Sequence, residues 1–188
     1  MTTVLDKYKQ HTHRQSQQPR IVLTQEEREY ARAFAYLRQG WSRKTNLHDA
    51  RPLGSGAMDP DIVGAYGEFA VHKWLNIPWE PNPEIPGYDG DVLGNIEIKT
   101  TIHSAGRLLA RPFARGNQAL LEKMRTRIFL LVTWHDSRSE ATIVGWAHGK
   151  EFLIDANWGN PFGNDRNDAW TLPQDQLKSP MELSGHFK

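Results

Sequence analysis

The run Ile128-Phe-Leu-Leu-Val-Thr-Trp134 carries no charge and no polar/apolar alternation. Such a segment reads as a strand buried on both faces, the centre of a sheet that other elements must cover. Ala141-Thr-Ile-Val-Gly-Trp-Ala147 reads as a neighbouring strand, and Lys150 to Ile154 as a short helix. Upstream, Thr24-Gln25-Glu26-Glu27 fits a capping box, in which threonine and glutamate satisfy each other's backbone donors. It opens a helix to about Gln39, with Tyr30, Phe34 and Leu37 at helical spacing and Gly40 as its stop. Asp59-Pro60 reads as an N-cap followed by proline at the first helical position. That second helix reaches about Leu75, with Ile62, Tyr66, Phe69, Ala70 and Trp74 on its apolar stripe and Pro78 beyond its end. Its Gly64 and Gly67 each cost roughly 1 kcal/mol against alanine, which implies close packing against them. A hairpin at about 87–102 and a short helix from Asn117 to Thr126 complete the order α, α, β, β, α, β, β. The expectation is a mixed α/β domain around one sheet.

The 188 residues divide into four segments. Residues 1–20 are polar and basic and read as a flexible tail. Residues 21–58 hold the first helix and a loop, 59–156 the core, and 157–188 an irregular extension packed on that core. The chain has no cysteine, so disulfides and Cys-ligated metal sites are excluded. It has no apolar run of about 18 residues and no secretory-signal layout at the N-terminus. The expected setting is cytoplasmic, without a membrane partner. Net charge is only +1, but it is unevenly spread. From Met58 to Glu97 eight acidic residues stand against Lys73 alone; from Thr100 to Arg127 six basic residues stand against Glu122 alone. An acidic stretch running into a basic one suits a polyanion held beside a metal site, although two solvated surfaces would give the same counts.

The junction between those stretches is Asp89-Gly90-Asp91-Val92-Leu93-Gly94-Asn95-Ile96-Glu97-Ile98-Lys99. A three-residue loop at Leu93-Gly94-Asn95, with glycine for positive φ, sets Asp91 opposite Glu97. Lys99 then shares their face, Asp89 lies across from Lys99, and Val92, Ile96 and Ile98 form the apolar face. A two-residue loop would turn Asp91 to the apolar side. The Glu97-x-Lys99 tripeptide alone means little, since 22 acids and nine lysines in this length yield about one acid-x-Lys by chance. Its weight comes from the register and from the preceding helix that carries Glu68.

Gly64-x3-Glu68, the aspartate strand and Glu97-Ile-Lys99-Thr100 together resemble the PD-(D/E)XK nuclease superfamily, which includes restriction endonucleases and Holliday-junction resolvases. The resemblance covers about Asp61 to Ala147. It implies a restriction-endonuclease-like fold, a mixed central β-sheet flanked by helices, and a Mg²⁺-dependent deoxyribonuclease, with Mn²⁺ able to substitute. By the same resemblance Asp91, Glu97 and the backbone carbonyl of Ile98 ligate the metal, and Glu68 supports it or its water. Lys99 orients or deprotonates the attacking water. Two departures stand out. The proline usual before the aspartate is Gly90 before Asp91, or Tyr88 before Asp89, and the Gln-x3-Tyr element of exonuclease-like members is absent. Asp91 is preferred as the ligand on hairpin geometry, with Asp89 the alternative.

The chemistry agrees with the residue types, since phosphodiester hydrolysis needs an oxygen-ligated cation and an activated water. Arg107, Arg111 and Arg115, interrupted by Pro112, read as a basic loop for the DNA backbone. Arg43 and Lys44, with Arg51, form a second flank. Trp41 and Trp158 lie in polar stretches where they cover the core or stack on bases. The expected activity is a DNA endonuclease, for which cutting both strands would call for a homodimer. The competing expectation is an inactive nucleic-acid-binding or assembly protein that keeps the same fold.

Overall fold

A computed structural model of the chain describes residues 17–44, 59–82, 91–111, 116–160 and 168–184. The side chains of Ser42 and Arg43 also fall outside the description, as do Asp89, Arg51, Arg115 and most of the N-terminal tail. The first strand, β1 (Arg20–Val22), leads into helix α1 (Gln25–Lys44). The capping box forms as read: the Glu27 N–H donates to Thr24 Oγ1 at 3.2 Å and the Thr24 N–H to Glu27 Oε2 at 2.8 Å. Gly40 does not stop the helix, which runs on to Lys44. A terminating glycine must take the left-handed conformation, and among the described glycines only Gly94 has positive φ. The buried stripe of α1 also lies one step from the expected one. Ala31, Phe34 and Ala35 face the core, while Tyr30 and Leu37 are exposed.

Helix α2 (Pro60–Leu75) starts where Asp59 accepts a hydrogen bond from the Asp61 N–H at 2.9 Å, with proline in its first turn. It ends at Asn76 in the left-handed conformation. There follow β2 (Ile96–Thr101), β3 (Leu108–Ala110), α3 (Gln118–Arg125), β4 (Ile128–His135), β5 (Glu140–His148) and α4 (Gly149–Phe152). The chain closes with β6 (Trp158–Gly159), β7 (Ala169–Leu172) and α5 (Pro180–Ser184).

Two sheets form where one was expected. The larger is mixed, in the order β1-β5-β4-β2, with β2 parallel to β4 and the other pairs antiparallel. The smaller is antiparallel, β3-β7-β6. The apolar run of β4 explains itself through period two. Leu130, Val132 and Trp134 pack into a core with α1 and α2, whereas Phe129 and Leu131 pack into a second core with α3, Phe152, Trp170 and Leu172. The expected basic loop therefore contains a strand, β3, whose Leu108 and Ala110 enter that second core. The C-terminal segment read as irregular supplies β6, β7 and α5, and Trp158 rests against Trp170 at 4.6 Å as core cover. Among the described residues no helix is long and apolar enough to cross a membrane.

Candidate active site

Among the described residues, strand β2 is the outer strand of the larger sheet, and one of its edges meets no neighbouring strand there. Residues 92–96 shape this edge. Leu93 (φ 51°) and Gly94 (φ 67°) carry the tight turn, and Val92 and Ile96 exchange hydrogen bonds of 3.0 and 3.1 Å. The turn thus uses the three residues read from the sequence, but the partner strand is described only as this single bridge. The Asp91 N–H donates to the same Ile96 carbonyl at 2.8 Å, so Asp91 departs from the ladder. Its side chain serves as the hydrogen-bond partner there, with Oδ2 accepting from the Ile98 N–H at 2.6 Å. A strand residue directs its N–H and C=O to one side. The Ile98 carbonyl accordingly lies on the edge that Asp91 occupies.

Helix α2 brings a column of residues spaced four apart to that edge: Gly64, Glu68 and His72. The helix approaches β2 closely because Gly67 has no Cβ; one there would collide with the Thr100 side chain. The Arg38 guanidinium passes over Gly64, where a Cβ would meet its Nη2 in ordinary van der Waals contact at 3.6 Å, so this glycine is not required by crowding. Arg38 reaches across from α1 to pair with Glu68 at 2.8 Å. His72 sets its ring nitrogens against the carbonyl oxygens of Pro78 (3.0 Å) and Asp91 (3.2 Å), tying the helix end to the Asp91 backbone.

Glu97 points to the opposite face of β2 from Ile96 and Ile98, which belong to the helix-side core. Its Oε1 pairs with Lys99 Nζ at 2.6 Å and its Oε2 with Arg127 Nη1 at 3.1 Å. The Arg127 side chain is only 4% exposed, and its Nη2 is buried without a hydrogen-bond partner among the described residues. The sequence placed Arg127 in a basic surface stretch; it is instead an interior cation. Arg127 and Phe129 share a face by period two, and Phe129 pairs with Glu97, so the arginine belongs beside that carboxylate.

The electrostatics bind these groups into one cluster. Burial, then the Glu68 and Glu97 carboxylates, push the Asp91 carboxyl well above the ordinary aspartate range, against opposing pulls from Lys99 and the Ile98 N–H. Burial disfavours the Lys99 ammonium, yet Glu97, Asp91 and Glu68 outweigh it and hold its pKa above the usual lysine value. Arg38 is likewise held charged against burial, by Glu68 first and then by Asp91 and Asp61. Asp91 and Lys99 thus each interact with Glu68 and Glu97, which joins the four residues singled out from sequence. Among the described residues no three His, Asp or Glu side chains are spaced as a ready metal cage. The donor chemistry still suits a hard cation: carboxylates and a carbonyl oxygen at one edge, with negative charge that Asp91 registers as uncompensated.

The expected DNA contacts are dispersed. Arg107 and Arg111 are exposed at the two ends of β3, and Lys44 is exposed at the end of α1. Arg115 and the Arg43 side chain lie outside the described residues, as does Asp89. Arg38, His72 and Arg127 are the site residues that sequence reasoning missed. Two of them left a signal. Arg38 falls seven residues after Ala31 on the buried stripe of α1, a charged residue at a core-facing position. His72 falls one turn after Glu68. Comparison of the chain with protein-family models, with curated proteins and with solved structures finds no match.

Proposed function

We propose that this chain is a metal-dependent nuclease that hydrolyses DNA phosphodiester bonds, acting as an endonuclease on a restriction-endonuclease-like fold. The observation that carries the reading is the gathering of Glu68, Asp91, Glu97 and Lys99 around β2, where burial first, and then the like charges of Glu68 and Glu97, drive the Asp91 carboxyl upward. Asp91, Glu97 and the Ile98 carbonyl would hold Mg²⁺ or Mn²⁺, with Glu68 supporting it through water. A cation held there supplies charge neutralisation at the phosphate and a more acidic water. Arg127 fixes one oxygen of Glu97 and leaves the other toward Lys99. Lys99, kept protonated by its carboxylate neighbours, acts as a hydrogen-bond donor that orients water or a phosphate oxygen. Arg107 and Arg111, on one face of edge strand β3, hold the DNA backbone. Cutting both strands requires two such sites and hence a homodimer.

The test is incubation with supercoiled plasmid and Mg²⁺ or Mn²⁺, scored for nicking and linearisation. Wild-type protein nicks the plasmid, and Glu97→Ala and Lys99→Ala each reduce the rate by about 10³-fold or more while remaining folded. Unchanged rates in either variant would remove this assignment. A second reading, an inactive nucleic-acid-binding protein of the same fold, is favoured by one observation: both Glu97 oxygens are already occupied by cationic side chains. That protein would bind DNA yet leave the plasmid intact with either metal.

A further inference from the structure

Arg38 differs from Arg127, the other arginine of the cluster. Arg127 is sealed in the interior, whereas the Arg38 side chain keeps 30% of its surface exposed, close to the 34% of Lys99. Its place is prepared by two side chains. The Phe34 ring, one turn back on α1, lies under the guanidinium with its centroid 5.4 Å away. Glu68 takes a single hydrogen bond from Nη1 at 2.8 Å. A guanidinium has five N–H donors in a rigid fork, so this bond leaves most of them free of the carboxylate. Arg38 interacts with Glu68, Asp91 and Asp61 and Lys99 with Glu97, Asp91 and Glu68, so the two cations share Asp91 and Glu68. Lys99 and Arg38 are therefore part-exposed cations, each anchored to a different carboxylate of one cluster.

We infer that Arg38 is the phosphate-binding residue of the site: its guanidinium takes the non-bridging oxygens of a nucleic-acid phosphodiester and relaxes its hold on Glu68 when it does so. The inference rests on the nuclease reading for its substrate class. Guanidinium is the side chain best matched to two phosphate oxygens at once, and cation–π contact with Phe34 keeps it flat and ordered before the ligand arrives. Glu68 then has a second part, holding Arg38 in place while no phosphate is present.

The experiment measures binding of a fluorescent DNA duplex by anisotropy across a range of salt concentrations. EDTA is present throughout, so that no divalent cation contributes. Arg38→Gln is expected to weaken binding by about tenfold or more. It should also lower the slope of log K against log salt by about 0.9, the signature of one lost phosphate contact. Arg38→Lys should recover the slope but only part of the affinity. Glu68→Gln, which removes the charge that holds the guanidinium, should tighten binding, and it reads the contact even if Arg38→Gln fails to fold. Inorganic phosphate in competition should weaken wild type more than Arg38→Gln. Wild-type affinity and slope in Arg38→Gln, or no tightening in Glu68→Gln, overturns the role of Arg38 and leaves the nuclease reading standing. Wild-type protein without affinity for the duplex at low salt overturns both.

Discussion

Helix α2 is held by carboxylates at two places, and they behave in opposite ways. Near its C-terminal end, Lys73 Nζ meets Glu27 at 2.7 Å, and Glu27 also takes the Thr24 N–H of the capping box. Burial opposes ionisation there, but those donors win and lower the Glu27 pKa. One turn earlier the helix faces β2, and the Asp91 carboxyl rises because Glu68 and Glu97 add like charge to its burial. The first is a relaxed ion pair that serves the fold. The second keeps negative charge together at a cost to the fold, which is the usual mark of a site arranged for a ligand.

The contrast can be broken from its strongest element downward. Arg127→Met should cost about 3 kcal/mol in denaturant unfolding, because it strands a buried Glu97 carboxylate that only Lys99 still pairs. Asp91→Asn should do the reverse and raise the metal-free melting temperature at neutral pH by a few degrees, on the scale of about 1 kcal/mol. Asparagine can still accept the Ile98 N–H but carries no charge toward Glu68 and Glu97. The sign follows from the raised pKa. The folded state binds the Asp91 proton more tightly than the unfolded one, so this contribution is complete below the ordinary aspartate pKa and is lost as pH rises through the raised value. The gain of Asp91→Asn over wild type should therefore vanish near pH ~4, as followed by melting curves. Glu27→Gln should have the smallest effect, a loss under about 1 kcal/mol that shrinks in high salt, since Lys73 is 38% exposed. Its sign is opposite: the Glu27 contribution is present above the ordinary glutamate pKa and is lost as pH falls through the lowered one.

What the sequence revealed follows from how local each signal is. The caps of α1 and α2, the burial of β4 on both faces and the Leu93-Gly94-Asn95 turn are set by neighbours within a few residues. The packing reason for Gly67 was anticipated in kind, though its partner Thr100 was not. Pairing between distant segments was hidden. Strand β3 has only Leu108 and Ala110 facing inward, and it joins β7 from the far end of the chain, so its flanking arginines made it read as a loop. Arg127 looked like its basic neighbours until the parallel register of β2 and β4 set it beside Glu97. Arg38 depended on α1 lying against α2, which brings it to Glu68.

The proposed function requires the charge held at the β2 edge to be there for a divalent cation. Its most direct test is the melting temperature of wild type and Asp91→Asn titrated with Mn²⁺ at neutral pH. A ligand bound only by the folded state stabilises it by about 2.7 kcal/mol at a hundred times its Kd. Wild type should start below Asp91→Asn, rise saturably with Mn²⁺ and overtake it, while the variant stays flat. A flat wild-type curve, or an equal rise in both proteins, would contradict the account.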